Sequence, residues 1–452
     1  MNHFRKILAI AALTVRNAAR TRVFVYMLAL VVLTIVLMPI VISGDGTTAG
    51  YARIVLDYTL SLLTFILAVT SLWIAVGVSS REIEEKQVHL LVTKPVSPLA
   101  IWLGKWIGLL MMNAAILLLA GICVSASLRW HLRPSSLPAE QGRIASEEVL
   151  TARRVVFPDQ SDLTDKVNKR TDAKAAAAGT NTVSRDLLLG EAFREVVREE
   201  NVVQPGATRK WVFPIGEHAG HGGPVSVTYN ISAVRQLELE PVAVEWRVGA
   251  DGTNGTTYAT NVLPGHPNSF PVPLSGRYAS LEIRFVNAQT NPPSSIAFNR
   301  ERGIVVMVPE GSFEGNLARA LMLIFCKLAV LSALGLTMGC CFSMPVAVFV
   351  ACALIAAFNL SGMLTADDIV PFHPARPPRV VDTISLAKFK ALNLIFAPIR
   401  NYDPMAQLQR GELIPSKLVA EAFAVQILLY SGLFCIIGAF ALKRRQLGMP
   451  AG

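Results

Sequence analysis

Six predominantly apolar runs constrain this chain more than anything else in it: Val23–Ile42, Ile54–Val78, Trp106–Leu128, Leu317–Gly339, Pro345–Leu364 and Leu418–Leu442. Each is about the 20 residues that an α-helix needs to cross a hydrocarbon core. In that medium every main-chain N–H and C=O must be satisfied within the segment, so apolar runs of this length are restricted to helix. Composition agrees: 52% of the chain is hydrophobic, 16% is charged and the mean hydropathy is +0.45. The first run carries no charge, and it is too long, with no small-residue cleavage site after it, to be a secretory signal.

Lysine and arginine near the span ends set the expected orientation. Before residue 45 the chain holds Arg5, Lys6, Arg16, Arg20 and Arg22 and no acid, and Lys443-Arg444-Arg445 follows the last run. Both termini are therefore expected to be cytoplasmic, as six spans require. One segment runs against the rule: the connection 365–417, placed outside, holds seven basic residues including Arg376, Arg400 and Lys417. Ahead of the first span, Phe4, Ile7, Leu8, Ala11, Ala12 and Val15 recur at helical spacing among cations, which predicts an amphipathic helix at the inner interface against membrane lipids.

The polar stretch 129–315 is expected to be extracytoplasmic. It carries 20 Lys+Arg against 21 Asp+Glu, so the net charge of +10 resides in the membrane part, with 22 against 11. The basic balance thus reports membrane orientation and argues against nucleic acid as a partner. Within 129–204, Ala139–Val156 and Ser184–Glu200 have helical character, with Leu188, Phe193 and Val196–Val197 as an apolar stripe and a polar linker around Lys174–Thr182. Over 205–311 the period changes to two: Val225–Ile231, Val242–Val248 and Leu281–Phe285 alternate, Ile304–Val308 forms a last strand, and Gly/Pro/Asn-rich turns separate them. That pattern predicts a β-sandwich, with Trp211, Trp246 and Phe285 in its core. The fold class is thus an α-helical polytopic membrane protein with six transmembrane helices and an inserted α+β extracytoplasmic domain containing a β-sandwich. Its parts are 1–128, 129–315 and 316–452.

Between the second and third spans lies Arg81–Lys105, REIEEKQVHLLVTKPVSPLAIWLGK. Arg81–Leu91 can form three helical turns, supported by Glu82 and Lys86 at i,i+4. Thr93-Lys94-Pro95 stops them, since proline lacks the N–H and disfavours helix before it. Ser97-Pro98 turns again, and Gly104-Lys105-Trp106 re-enters the bilayer, with Trp102 and Trp106 suited to the interface.

An acidic stretch (Glu82, Glu84, Glu85), a Lys94-Pro95-Val96-Ser97 turn and Gly104-Lys105 before the third span resemble the permease subunits of type-2 ABC transporters. That family includes polysaccharide, drug, gliding-motility and copper-site-maturation permeases. The amphipathic N-terminal helix, the six spans and the short Cys340–Met344 connection fit it too, and the partly apolar Leu386–Ile399 is similar to its re-entrant helices. The large insertion departs from members that have a short connection there. The resemblance implies a homodimer or heterodimer of permeases in the bacterial inner membrane. Each copy would dock a separate ATPase through the coupling helix 81–92, with Arg81, Glu82, Glu84, Glu85, Lys94, Pro95, Gly104 and Lys105 as coupling residues. ATP and magnesium would be held by that ATPase; this chain has no Gly-x-x-x-x-Gly-Lys-Ser/Thr loop and no nucleophile elbow, so no catalytic residues or cofactor are expected here. The rival reading is a membrane-anchored extracytoplasmic binding or scaffold protein. A secondary transporter would show paired Gly/Pro-broken spans.

Charges inside spans are expensive and tend to face cavities or partners. Asp57, Lys327 and Glu421 are therefore expected to form an intramembrane ion pair, Lys327 with Asp57 or Glu421, near the outer vestibule, while Arg319 snorkels. The six cysteines all lie in or beside apolar runs and are expected to be free. His218 and His221 lack a third ligand nearby, so no metal site is expected.

Overall fold

The computed structural model describes residues 3–42, 48–84, 97–132, 150–159, 161–178, 185–216, 224–233, 241–250, 255–265, 267–273, 278–288, 293–299, 303–363, 387–388, 390 and 401–447. The chain divides into two compact units, Met1–Leu150 with Phe313–Gly452, and Thr151–Ser312.

The first unit is helical: α1 (His3–Ala19), α2 (Arg22–Val41), α3 (Thr48–Glu84) and α4 (Pro98–His131) precede the insertion. After it come α7 (Phe313–Cys341), α8 (Met344–Met363), α9 (Met405–Gln409), α10 (Ser416–Ala422) and α11 (Ser431–Leu447). Among the described residues five helical segments are long and apolar enough to cross a membrane: Arg22–Val41, Gly50–Arg81, Pro98–His131, Phe313–Cys341 and Ser416–Arg444. The remaining apolar run forms α8, whose side chains are described to Ala356. The chain is thus built as a helical membrane protein with an inserted β-rich unit. Local chemistry sets two of the starts. Thr21 Oγ1 accepts from Phe24 N to cap α2, and Ser97 Oγ accepts from Ala100 N with Pro98 in the first turn of α4.

Helix α7 is the axis of this unit, buried along most of its length. Hydrophobic burial cannot drive helices together in lipid, so close packing of small residues does. At Gly335 a Cβ would lie 2.8 Å from Ala75 Cβ and 3.0 Å from Leu72 O; at Gly339, 2.7 Å from Val76 O. These two glycines, four apart on α7, let the α3 backbone lie directly against it. The same device docks α1 on α4. A Cβ at Gly104 would lie 2.7 Å from Ile10 Cβ, and one at Gly108 would lie 2.7 Å from Ala11 O. Accordingly Ala11, Thr14 and Ala18 are buried, while Phe4, Leu8 and Leu13 remain exposed. Trp102, expected at the interface, is only 1% exposed and Gly438 of α11 packs on its ring. It is a core residue stacked on Trp106 at 5.9 Å.

Between α10 and α11 the last helix passes through π-helical turns, Phe423–Tyr430. Its buried positions are Ala422, Gln426, Ser431, Cys435, Gly438 and Leu442, and Ser431 Oγ donates to Gln426 O across the five-residue step at 3.0 Å.

The second unit contains β1 (Thr151–Val156), α5 (Ser161–Ala178), α6 (Arg185–Asn201) and β2 (Val202–Val203), then β3 (Thr208–Phe213), β4 (Val225–Ala233) and β5 (Val242–Ala250). It ends with β6 (Thr256–Val262), β7 (Pro267–Val272), β8 (Leu281–Val286), β9 (Ile296–Phe298) and β10 (Ile304–Ser312). One sheet runs β1-β10-β4-β9-β2 with β7 on the opposite edge of β4; the other runs β3-β8-β5-β6. Both are antiparallel and share one apolar core. Tyr229 meets Trp246 at 4.6 Å and Trp211 meets Phe298 at 5.0 Å, ring to ring between the sheets. The three alternating runs and the last strand, Ile304–Val308, read in the sequence are all strands.

Two expectations for 129–204 need correction. The end of the supposed helix Ala139–Val156 is strand β1, antiparallel to β10 from Thr151↔Ser312 to Val156↔Val306; residues 139–149 lie outside the described set. The supposed linker at Lys174 is helix as far as Ala178, since four alanines carry the best helix propensity available. α5 and α6 form an antiparallel hairpin that buries Val167, Thr171, Ala192 and Val196, leaving Phe193 exposed. Lys166–Glu200 (2.6 Å), Arg170–Glu199 (2.9 Å) and Lys174–Glu195 (2.7 Å) lace its outside.

Two measurements check these statements. Gly339→Val forces α3 off α7 and is expected to cost about 1–3 kcal/mol, read as a lower unfolding temperature in detergent. Gly432→Ala, where nothing lies within 4 Å, is the control and should not lower it. In the hairpin, the Lys174 ammonium holds the Glu195 carboxyl below its usual 4.5. A carboxylate with a lowered folded value stabilises above its unfolded value and loses that contribution as pH falls through the folded one. Helical circular dichroism of the 151–312 unit should therefore drop on acidification below pH 4.5, and less so in Glu195→Gln.

Candidate functional site

Three places gather polar side chains in the helical unit, one at each end and one between. The first is the base, where α3 ends and α4 begins. Arg81–Glu84 is the last turn of the continuous helix α3, so this part of the charged segment is no separate helix. The side chains of Glu82 and Glu84, together with Glu85, Lys94 and Pro95, lie outside the described residues. Arg81 is exposed and lines a pocket of about 250 Å3 with Thr14, Asn17, Trp73 and Met344.

The two remaining residues of the motif have clear roles. Gly104 admits α1, as described above. Lys105 is only 5% exposed and its ammonium donates to Val78 O on α3 at 3.3 Å. Gly104 and Lys105 thus bind the start of α4 to both α1 and α3, and the charged segment is anchored on either side.

The second place is a polar knot inside the bundle. The Ser71 hydroxyl (α3) donates to Ser332 Oγ (α7) at 2.8 Å, and Ser332 donates on to Leu328 O at 2.8 Å. Asn113 Nδ2 (α4) donates to Ser71 Oγ at 2.9 Å and to Ser332 Oγ at 3.3 Å. All three side chains are fully buried. One amide therefore ties three spans together where no water competes. A lone asparagine in the apolar run 106–128 was the available signal, and the sequence reading passed over it.

The third place is the far end, where Asp57, Lys327 and Glu421 were expected to pair. They do not. Lys327 Nζ is 3.6 Å from Asp403, in the connection before the last span. Glu421 pairs with Lys417 one turn away on its own helix, 3.9 Å apart. Asp57 accepts a hydrogen bond from Ser61 and feels the charge of Asp403. Asp403 also accepts from Met405 N at 3.0 Å, starting α9. The reason for the correction is geometric. The strand of chain 401–415 is laid across the ends of α3 and α7, and it delivers a carboxylate that span-by-span reasoning did not consider.

That strap is fastened mainly by main-chain bonds. Asn316 Nδ2 donates to Glu412 O and its Oδ1 accepts from Ile414 N, both at 2.8 Å. Arg319, expected to snorkel, instead donates to Ile414 O at 3.1 Å. Residues 316, 319 and 327 follow the helical period, so one face of α7 holds the whole strap. The re-entrant expectation for Leu386–Ile399 falls almost wholly outside the described residues.

The 151–312 unit has its own polar hollow, about 510 Å3, lined by Asp159, Asp162, Lys166, Arg209, Lys210 and Trp211 among others. Arg209 lies over the Trp211 ring at 4.9 Å and bonds Glu200 at 2.7 Å. Trp211, Trp246 and Phe285 are core residues, as expected. Among the described residues no three His, Cys, Asp or Glu side chains converge as metal ligands; His218 and His221 lie outside them.

The strap yields a ranking. Asn316→Ala removes two buried main-chain partners, each worth about 1–3 kcal/mol when left unmade. Lys327→Met breaks a pair whose aspartate side chain is 48% exposed, worth under about 1 kcal/mol. Thermal unfolding in detergent should show the larger loss for Asn316→Ala; the reverse order would place the strap's hold in the ion pair.

Comparison with known protein families, with curated proteins and with solved structures returned no match.

Proposed function

We propose that this chain is the membrane-spanning permease subunit of an ATP-driven ABC exporter in a bacterial cytoplasmic membrane. In this reading the chain crosses six times with both termini inside and residues 129–315 outside. It pairs with a second permease, of its own kind or another, and lines the translocation pathway. ATP and magnesium belong to a separate ATPase subunit, which engages the segment that begins at Arg81.

The observation that carries this reading is the base. The charged segment Arg81–Lys105 is held at one end by a helix, α3, that runs unbroken into the bundle. At the other it is held by α4, which Lys105 ties to Val78 O and Gly104 ties to α1. A push on the last turn of α3 or on the start of α4 reaches α1, α3 and α4 together, because Lys105 and Gly104 join them. The motif resemblance over Glu82–Lys105 supplies the identity of the pusher.

The rival reading, an anchored extracytoplasmic binding or scaffold protein, draws on the 510 Å3 hollow of the 151–312 unit. Co-purification separates the two. The exporter reading expects an ATPase to accompany the detergent-solubilised protein, and Glu84→Lys with Glu85→Lys to release it while the chain stays folded. A wild-type protein that brings down no ATPase sinks the exporter reading.

A further inference from the structure

Helices α4 and α7 do not close on each other along their whole length. Toward the far end their surfaces leave a groove of about 650 Å3 beside the line of contact. Its floor is Leu117, Gly121, Leu317 and Leu321, and Leu118, Ile122, Met322 and Phe325 stand along its rims. At Gly121 a Cβ would run into Leu321 Cδ1, so Leu321 packs directly on α4 there and closes the floor. At the end of the groove the Arg129 guanidinium pairs with the Glu314 carboxylate, both partly exposed. Trp130, beside Arg129, is exposed, as suits a residue at headgroup level.

We propose that this groove holds one phospholipid. Its acyl chain would lie between α4 and α7, and its zwitterionic headgroup, a phosphate with a primary ammonium, would lie between Arg129 and Glu314. Three observations point to this occupant. The apolar part runs from Leu117 to Ala126, about 14 Å at 1.5 Å per residue; that is about one leaflet of a 30 Å hydrocarbon core. The polar groups stand only at one end, as an amphiphile needs and as a packed helix from another copy does not. The two end charges are of opposite sign, so a phosphate on the guanidinium and an ammonium on the carboxylate replace one balanced ion pair by two. An anionic headgroup would leave Glu314 facing a negative charge. The inference uses only the membrane-embedded nature of the helices and does not depend on the exporter reading.

Native mass spectrometry of the intact protein, with any partners it brings, tests this after detergent exchange has stripped loosely held lipid. The wild-type chain should keep one phospholipid. Ala126→Phe with Ala318→Phe, which fill the groove from its rims, should reduce that occupancy by about tenfold, a change of about 1.4 kcal/mol. Unchanged occupancy in that variant overturns the proposal. Because the filled variant could misfold, Arg129→Gln and Glu314→Gln are made separately. After reconstitution in vesicles of equal phosphatidylethanolamine and phosphatidylglycerol, the wild type should retain the former preferentially. Each single variant should lose that preference. Equal retention of both lipids by the wild type overturns the headgroup assignment. Finally, Ala318→Cys in a chain whose own cysteines are serine should give no cross-linked dimer under oxidation. A cross-link would show that a second copy fills the groove and would overturn the lipid.

Discussion

The direct contact between the backbones of α3 and α7 is what the helical unit is organised around. Lipid rewards no apolar association, so two spans stay together only where they approach closely enough for dispersion and polar contacts to add up. Gly335 and Gly339 permit that approach, and its consequences radiate outward. With α3 fixed against α7, Ser71 reaches Ser332, and Asn113 of α4 can bridge the two. With α4 fixed in turn, Lys105 reaches Val78 O, and Gly104 and Gly108 receive α1. Each polar bond in this sequence is within reach because close packing at a glycine has brought its helices together.

The sequence made the spans and the main strands legible for simple reasons. A hydrocarbon-length apolar run has one solution, and alternating β-branched residues between Gly/Pro turns have nearly one. What escaped was everything decided by a partner far along the chain. Thr151–Val156 reads as the end of a helix until β10, about 150 residues later, offers it an edge. Thr208–Phe213 shows little alternation, yet it is strand because β8 lies beside it from Thr208↔Val286 to Phe213↔Leu281. Lys327 is a charge that needs a partner, and the acids inside the spans, Asp57 and Glu421, are the partners the apolar pattern offers. Its carboxylate, Asp403, arrives on a connection whose path the apolar pattern does not encode.

The two ends of the helical unit are built on opposite plans. At the base, the start of α4 grips α3 and α1 through Lys105 and Gly104. At the far end, α7 grips a length of irregular chain through Asn316, Arg319 and Lys327. A motion begun at the base and carried by α3 would be felt at the far end as strain on the strap, because α7 touches both. The strap's strongest bonds go to main-chain atoms, so its position depends little on the charge state of any one side chain.

The π-helical turns at Phe423–Tyr430 have a consequence for how the last span tolerates change in length. Buried positions advance by four from Ala422 to Gln426, by five to Ser431, then by four to Cys435. The wide turn thus absorbs one surplus residue without rotating the seam. Losing one residue within this stretch would restore an ordinary α-helix and leave Ser431, Cys435 and Leu442 facing inward. Losing one elsewhere in the span would swing the remainder by about 100° and turn its apolar exterior toward the bundle. The last span therefore carries its own tolerance for a single-residue deletion, confined to the two turns where the wide helix runs.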